Sequence, residues 1–360
     1  MSRKRKRTYA SYREWPEASK QTEYTEPTPL LNEDGTLSAK GWARHNVFEY
    51  DRERSRPVLH RKEWDFYQVS DGKYMVQVSF ANITLGGYAS ALLLDLATGK
   101  VLANPTALFL GGKNKYVLPA KGDVPHSYEF RVGKAVFRVD ATERARTVYF
   151  KMKSVECAFT MDVLQRHDNI TTVLPFAGKP TRYFMTTKQN CMPTEGYYKV
   201  GDRTITFDKA DAFTVLDWGR VNTPYRLVWY WGNGAAYITD DEGERHLFGF
   251  EITWGIGDES HATETCMFLD GVAYKFGAID VRTFPKPDGY LKPWVFESED
   301  GKFNLTMTPT IDHHSDLNAL FLRMHSHQVH GRWNGDVEID GKRYAIRDMY
   351  AFCEYVENRW

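Results

Sequence analysis

Hydrophobic and polar residues alternate along much of the chain from about residue 57 onward. In "YMVQVSF" (74–80), Tyr74, Val76, Val78 and Phe80 alternate with Met75, Gln77 and Ser79. A period of two residues is typical of a β-strand with one buried face. We therefore expect strands to make up most of the molecule.

Glycine-containing turns separate these alternating runs. "EFRVGKAVFRV" (129–139) and "YYKVGDRTITF" (197–207) each predict a hairpin, with turns at Gly133-Lys134 and Gly201-Asp202. Three Asp-Gly pairs lie between apolar runs, and this dipeptide suits a two-residue hairpin turn: Asp270-Gly271, Asp300-Gly301 and Asp340-Gly341. Such turns predict antiparallel meanders, because parallel strands need long crossover connections.

Helical patterns are almost absent, so the fold class is predicted to be all-β. The one short helix candidate is Lys209 to Leu216, with Asp208 as its N-cap. Many short antiparallel strands indicate sandwiches or barrels. A chain of 360 residues is long enough for two such domains. We predict a basic, polar and disordered or extended arm over 1–30, a first β-domain over 31–220 and a second over 221–360.

Charge and hydropathy exclude several classes of protein. Lys+Arg and Asp+Glu are both 47, and this balance argues against a nucleic-acid partner. Mean hydropathy is -0.53, and no apolar run is long enough to form a transmembrane segment. The N-terminus lacks a signal peptide, so we expect a cytoplasmic protein; the basic residues from Arg3 to Arg7 leave a nuclear location open. The four cysteines are far apart, and we expect reduced, buried thiols.

Aromatic residues concentrate around one acidic residue in "TVLDWGRVNTPYRLVWYWG" (214–232). Asp217 precedes Trp218, and Tyr225, Trp229 and Tyr230 follow. A carboxylic acid that burial keeps protonated is a proton donor, and nearby ring faces stabilise a cation. The alternative is an ion pair between Asp217 and Arg220, which would lower the pKa of the acid. The sequence leaves both open.

Other candidate groups have structural alternatives as well. Glu63 and Asp65 share one strand face, opposite Trp64 and Phe66, and form either an acid–base pair or an Arg-paired face. Glu264 follows His261, which suits either proton transfer or a capped turn. The histidines of "MHSHQVHG" (324–331) include a His-x-His pair, but no complete ligand set is apparent and we predict no metal. Nucleotide-binding and common hydrolase motifs are absent.

Eight short strings, in order, resemble one family. They are "GWAR" (41–44), "KEWDFY" (62–67), "NCMPTEG" (190–196), "VLDWGR" (215–220), "WYWG" (229–232), "ATET" (262–265), "HQVHGRWNG" (327–335) and "ENRW" (357–360). Together they resemble the domain of unknown function 2804, from about residue 22 to the C-terminus. That family is distantly similar to the lipocalin-like group of carotenoid 1,2-hydratase, AttH-like proteins and fungal Diels-Alderases.

The resemblance implies two consecutive lipocalin-like β-barrels or half-barrels that bind an apolar small molecule. It also implies hydration, cyclisation or isomerisation without a cofactor, and Asp217-Trp218-Gly219 is similar to an Asp-x-x-Trp-Gly motif of that group. The alternatives are a carrier or lipid sensor and a structural protein with a filled barrel. The candidate catalytic residues are Asp217 and Glu264. The candidate ligand-binding residues are Trp64, Asn190, Trp218, Arg220, Tyr225, Trp229 and Trp231.

Overall fold

The structure, a computed structural model, describes residues 10–11, 19–164, 167–319 and 322–359. The basic segment from Arg3 to Arg7 lies outside the described residues. The first group of strands is β1 Ala10–Ser11, β2 Thr28–Pro29, β3 Gly41–Ala43, β4 Phe48–Glu49, β5 Arg61–Ser70, β6 Tyr74–Asn82, β7 Gly86–Asp95, β8 Lys100–Ala103, β9 Thr106–Leu110, β10 His126–Val132, β11 Ala135–Ala141, β12 Ala145–Met152 and β13 Val155–Asp162.

The remaining strands are β14 Ile170–Phe176, β15 Lys179–Val200, β16 Arg203–Phe207, β17 Phe213–Asn222, β18 Arg226–Thr239, β19 Arg245–Trp254, β20 Cys266–Leu269, β21 Val272–Lys275, β22 Ile279–Thr283, β23 Trp294–Ser298, β24 Phe303–Ala319, β25 Leu322–Ile339 and β26 Lys342–Arg359. Val58–His60 and Gly112–Asn114 form short 3₁₀ helices. The predicted all-β class is confirmed, and no helix in the described part of the chain is long and apolar enough to cross a membrane.

Two large antiparallel sheets form most of the described part of the molecule, and β2 and β4 form a separate two-stranded parallel sheet. The first sheet has the strand order β10-β11-β12-β13-β15-β17-β5-β6-β7-β8, with β3, β9, β14 and β16 added beside this path. The second sheet has the order β1-β22-β23-β24-β25-β26-β18-β19-β20-β21. The chain passes from one sheet to the other between Asn222 and Arg226. The division into domains near residue 220 remains a proposal.

The predicted hairpins are present, with one difference in length. Asp270-Gly271 and Asp340-Gly341 are two-residue turns in which both residues have positive φ: 50° and 84° in the first, 49° and 76° in the second. That is the backbone that Asp-Gly favours. Asp300-Gly301 lies in a longer turn, because β23 ends at Ser298 and β24 begins at Phe303.

The predicted helix at Lys209 to Leu216 is wrong. Asp208 does accept a hydrogen bond from the Ala210 amide, but the turn that it begins is not continued. From Phe213 the chain enters β17, which pairs with β15 on one side and β5 on the other. Tertiary strand pairing therefore overrides the local capping signal.

Each sheet packs a filled core on one of its faces. In the first sheet, Val76, Val78 and Phe80 are fully buried in a core that also contains Trp218. The second sheet encloses a core of large rings, which includes Phe250, Trp254, Trp294, Phe296 and Trp333. These two half-barrels confirm the lipocalin-like architecture. The four cysteines are free and buried, as predicted.

The other faces of the two sheets face each other. Phe66 of the first sheet packs edge-on against Trp231 of the second, with ring centroids 5.9 Å apart. Buried amides also join the sheets: Gln68 Nε2 donates to Asn233 Oδ1 at 3.3 Å, and Asn190 Nδ2 donates to the Phe250 carbonyl at 3.0 Å. The space left between these faces forms the candidate site.

Candidate functional site

A cavity of about 670 Å³ lies between the two sheets. Gln77 and Ser79 reach it from β6, because they alternate with Val76 and Val78 of the first core. Across the cavity, β18 and β24 to β26 supply the facing wall. The volume lies within the range of about 300–1,000 Å³ that is usual for small-molecule sites.

Aromatic rings form much of the cavity wall. They are Trp64, Phe66, Tyr88, Phe184, Trp229 and Trp231. Trp64 is opposite Gly219 in the pairing of β5 with β17, and its ring lies directly over that glycine. A Cβ at position 219 would overlap the ring. The glycine of "DWG" therefore makes room for a tryptophan of the cavity wall.

A buried ion pair opens onto this cavity. Lys188 and Asp217 are directly opposite each other in the pairing of β15 with β17, and Lys188 Nζ is 2.8 Å from Asp217 Oδ1. Lys188 Nζ also lies over the ring of Trp231, 4.1 Å from its centroid. Only 4% of the Lys188 side chain is exposed. Because water cannot solvate the buried ammonium group, these partners must stabilise its positive charge.

Burial and charge act in opposite directions on this pair. Burial raises the pKa of Asp217, and the charge of Lys188 opposes that rise. Burial lowers the pKa of Lys188, but the charges of Asp217, Glu264 and Glu251 outweigh burial and leave that pKa raised. The lysine is therefore charged at neutral pH and forms the positive centre of an otherwise acidic site.

Two further carboxyl groups lie close to Lys188. Glu264 is 1% exposed; one of its oxygens accepts a hydrogen bond from Thr186, and the other has no hydrogen-bond partner among the described residues. Glu251 accepts hydrogen bonds from Trp231 Nε1 and from Asn190 Nδ2, both at 2.8 Å. Burial raises the pKa of Glu251 well above its usual value, which favours its protonated form.

Glu354 adds a carboxyl group on the wall from the second sheet. It accepts hydrogen bonds from Trp229 Nε1 at 3.1 Å and from Gln328 Nε2 at 3.0 Å. Burial raises the pKa of Glu354 to about 7, although these two hydrogen bonds act to lower it. A carboxyl group with this pKa exchanges its proton near neutral pH, as general acid–base catalysis requires.

The structure brings together five of the nine residues singled out from the sequence. Asp217, Glu264, Trp64, Trp229 and Trp231 line the cavity. The remaining four lie elsewhere: Asn190 lines a smaller cavity of about 360 Å³, Tyr225 is 41% exposed, and Trp218 and Arg220 point to the first core.

The predicted relation between Asp217 and Arg220 needs correction. Successive strand residues alternate between faces, so these two side chains, three positions apart, lie on opposite sides of β17. Arg220 donates to Asp65 Oδ1 at 2.9 Å, and its guanidinium lies over Trp218 at 4.2 Å. The partner of Asp217 is Lys188 instead.

Glu63 and Asp65 form the Arg-paired face, one of the two arrangements that the sequence allowed. Glu63 accepts hydrogen bonds from Arg52 at 2.9 Å and from Tyr50 at 3.0 Å. Asp65 is bound by Arg220 and by Tyr128. Both carboxylates are paired with arginines, and Glu63 is also among the residues that line the cavity.

Sequence reasoning missed Lys188, Glu251 and Glu354. A signal was present for two of them. Lys188 is the only charged residue between 183 and 193, and Glu354 is the only one between 350 and 356. A single charge in a strand-like run indicates a buried functional or structural group, because an unpaired charge is costly in such a setting.

Three comparisons place this geometry among known proteins. A family described as "Domain of unknown function (DUF2804)" matches residues 21–360. Kievitone hydratase from Nectria haematococca has a similar structure, with a TM-score of 0.50 and 12% sequence identity over 83% of this chain and 88% of that chain. An AttH-like protein from Nitrosomonas europaea has a TM-score of 0.48 and 14% identity over 83% of this chain and 92% of its own. The search of curated proteins found no match. The resemblance stated from the sequence is confirmed.

Proposed function

The chain belongs to the family of domain of unknown function 2804, and on that premise we propose that it binds an apolar small molecule between its sheets and acts on it by acid–base chemistry. An unsaturated isoprenoid, lipid or polyketide-like compound suits the site. The single observation that carries this proposal is a ring-lined cavity of about 670 Å³ that contains the buried Lys188–Asp217 pair. Rings supply contact area, and the few polar groups fix orientation.

The rim of the cavity supports an apolar ligand. Leu108 of the first sheet is 76% exposed and Leu317 of the second is 49% exposed, and both line the cavity. Exposed apolar side chains that form a contiguous patch mark interaction sites, whereas single exposed ones are common on any protein surface. A hydrophobic molecule would meet these leucines first and the tryptophans deeper in.

We assign the acid and the base to different carboxyl groups. Protonated Glu354 gives its proton to one carbon of a C=C bond, and ring faces nearby stabilise the carbocation that forms. A water oxygen bonds to the cationic carbon, and the Asp217 carboxylate takes the proton that this water loses. The net reaction is alkene plus water to alcohol, and a proton returns from Asp217 to Glu354 through solvent. The charge of Lys188 favours the ionised form of Asp217 and opposes the effect of burial, and Glu264 is the alternative base. Kievitone hydratase, which shares the fold, is named for a hydration.

The first test is mass spectrometry of the organic extract of the purified protein. We expect a bound apolar molecule in the wild-type protein and in Ser127→Trp, which adds an indole on the surface. We expect it to be lost from Ser90→Trp, because Ser90 lines the cavity. Equal retention by both variants would show that the ligand binds somewhere else.

Analysis of the same extract distinguishes an enzyme from a carrier. If Asp217 is the base, Asp217→Asn accumulates a different molecule, the unreacted compound, whereas the control Asp140→Asn, at a half-exposed position outside the cavity lining, gives the wild-type result. The same unmodified molecule in all three proteins would contradict catalysis at Asp217 and favour a carrier or sensor.

A further inference from the structure

Three histidines cluster on the face of β24 and β25 that points away from the cavity. His314 is directly opposite His327 in the strand pairing, and His325 is opposite Asp316. The neighbouring Ser315 and Ser326 line the cavity, so the histidines project to the other side. His314 is exposed, while His325 and His327 are largely buried.

The spacing of the ring nitrogens suits a single metal ion. His314 Nε2 is 3.4 Å from His325 Nδ1, and one ligand nitrogen from each of the three histidines lies within 4.8 Å of the others. Zinc–nitrogen bonds of 2.0–2.1 Å in a tetrahedron put two ligand nitrogens about 3.3 Å apart. One pair already has this separation. The His327 ring is stacked on His314 with centroids 4.3 Å apart, so one of these two rings would turn out of the stack to direct its nitrogen to the same ion.

The surroundings of His327 strengthen this interpretation. Its Nδ1 is 2.7 Å from Asp312 Oδ2, and its ring stacks on Tyr290 with centroids 3.7 Å apart. A carboxylate on one ring nitrogen fixes the tautomer and leaves the other nitrogen, Nε2, to bind an ion, as is usual for metal-binding histidines.

We propose that His314, His325 and His327 bind a zinc ion, with Asp312 as the residue that positions His327. A His-x-His pair on one strand and a third histidine on the neighbouring strand supply three nitrogen ligands and leave one position open. The exposed edge of His314 gives the ion a path from solvent. This revises our sequence-based prediction of no metal, and it does not depend on the function proposed for the cavity.

Equilibrium dialysis of the full chain, without an affinity tag and after treatment with a chelator, tests the proposal. ZnCl₂ is the probe, and elemental analysis gives the zinc bound per chain. We expect one tight site in the wild-type protein and a loss of affinity of at least about tenfold in His325→Gln, because the loss of a group that only orients a ligand already costs that much. His313→Gln is the matched control, because His313 is the adjacent residue and lines the cavity instead.

His314→Gln keeps the test decisive if His325→Gln folds poorly, because His314 is exposed. Zinc should raise the melting temperature of the wild-type protein and of His313→Gln, and should raise that of His314→Gln much less, since a ligand stabilises only the state that binds it. No tight zinc binding by the wild-type protein, or equal binding by all variants, would overturn the proposal.

Discussion

The raised pKa of Glu354 makes a prediction about stability and pH. Its pKa is about 7 in the folded protein, against an ordinary value of 4.5. The folded state therefore holds this proton more tightly than the unfolded state, and the folded state loses stability as the pH rises from about 4.5 to about 7. This titration should lower the free energy of unfolding of the wild-type protein by on the order of 3 kcal/mol, because each pKa unit corresponds to about 1.4 kcal/mol. We expect Glu354→Gln to lack this pH-dependent loss.

Urea unfolding of both proteins at pH 5 and pH 8 measures this difference. Other groups also titrate in this interval, so the relevant quantity is the change in the wild-type protein minus that in the variant. Glu242→Gln serves as control, since the Glu242 side chain is 75% exposed. An identical pH dependence in the wild-type protein and Glu354→Gln would contradict the assignment of Glu354 as the acid.

The residues that line the site were easier to predict than the residues that pair with them. Asp217 and four tryptophans were selected because an acid among aromatic rings has recognisable chemistry. Asp217, Trp64, Trp229 and Trp231 line the cavity, whereas Trp218 packs in the first core. Lys188 was not selected because its position opposite Asp217 follows from the register of β15 on β17, with a bulge between Gln189 and Met192. The register between two strands this far from a shared turn cannot be predicted from a single sequence. An ion pair between Arg220 and Asp217 was one of two alternatives left open, and it rested on proximity in sequence, which strand alternation makes misleading.

Gly219 links strand β17 to the shape of the cavity wall. Gly219→Ala should force the Trp64 ring away from β17, because the new Cβ would overlap it. Overpacking of this kind typically costs about 1–3 kcal/mol. We expect urea unfolding to show that loss, and binding of the cavity ligand to weaken with it.

A double-mutant cycle separates the ring clash from other effects of the alanine. In a Trp64→Leu background the ring is gone, so adding Gly219→Ala should cost much less than it does in the wild-type protein. If the alanine costs the same in both backgrounds, the clash with Trp64 is not its cause.

Strand faces and hairpins were predictable because both depend on local patterns. The period of two residues correctly put Trp64 and Phe66 opposite Glu63 and Asp65, and Asp-Gly turns follow from backbone preferences. The pattern does not show which part of the protein packs against each face of a strand. The local pattern was misleading at Lys209 to Leu216. A helix was predicted there, but from Phe213 the chain forms β17, which pairs with a strand on each side.

The position of the cavity is a property of the whole molecule. A lipocalin-like chain led us to expect a ligand inside a barrel, yet both half-barrels are filled by their own side chains and the cavity lies between the sheets. Each sheet has an apolar face for its core, and its second face is mixed, with amides, serines and rings. Two mixed faces pack less completely than two apolar ones, which leaves room for a ligand and for buried charges.

The contacts between these mixed faces should hold the two sheets together without the covalent connection. Asn190 donates hydrogen bonds to Phe250 and Glu251, and Phe66 packs against Trp231. We predict that the wild-type protein, cut at a protease site inserted between Pro224 and Tyr225, still elutes as one species in size-exclusion chromatography. A Trp231→Ala background should weaken that association, because it removes the ring contact with Phe66 and the contact with Lys188 of the first sheet. Two separate peaks from the cut wild-type protein would mean that the sheets are held mainly by their connection, and that the cavity is too weakly closed to retain a ligand.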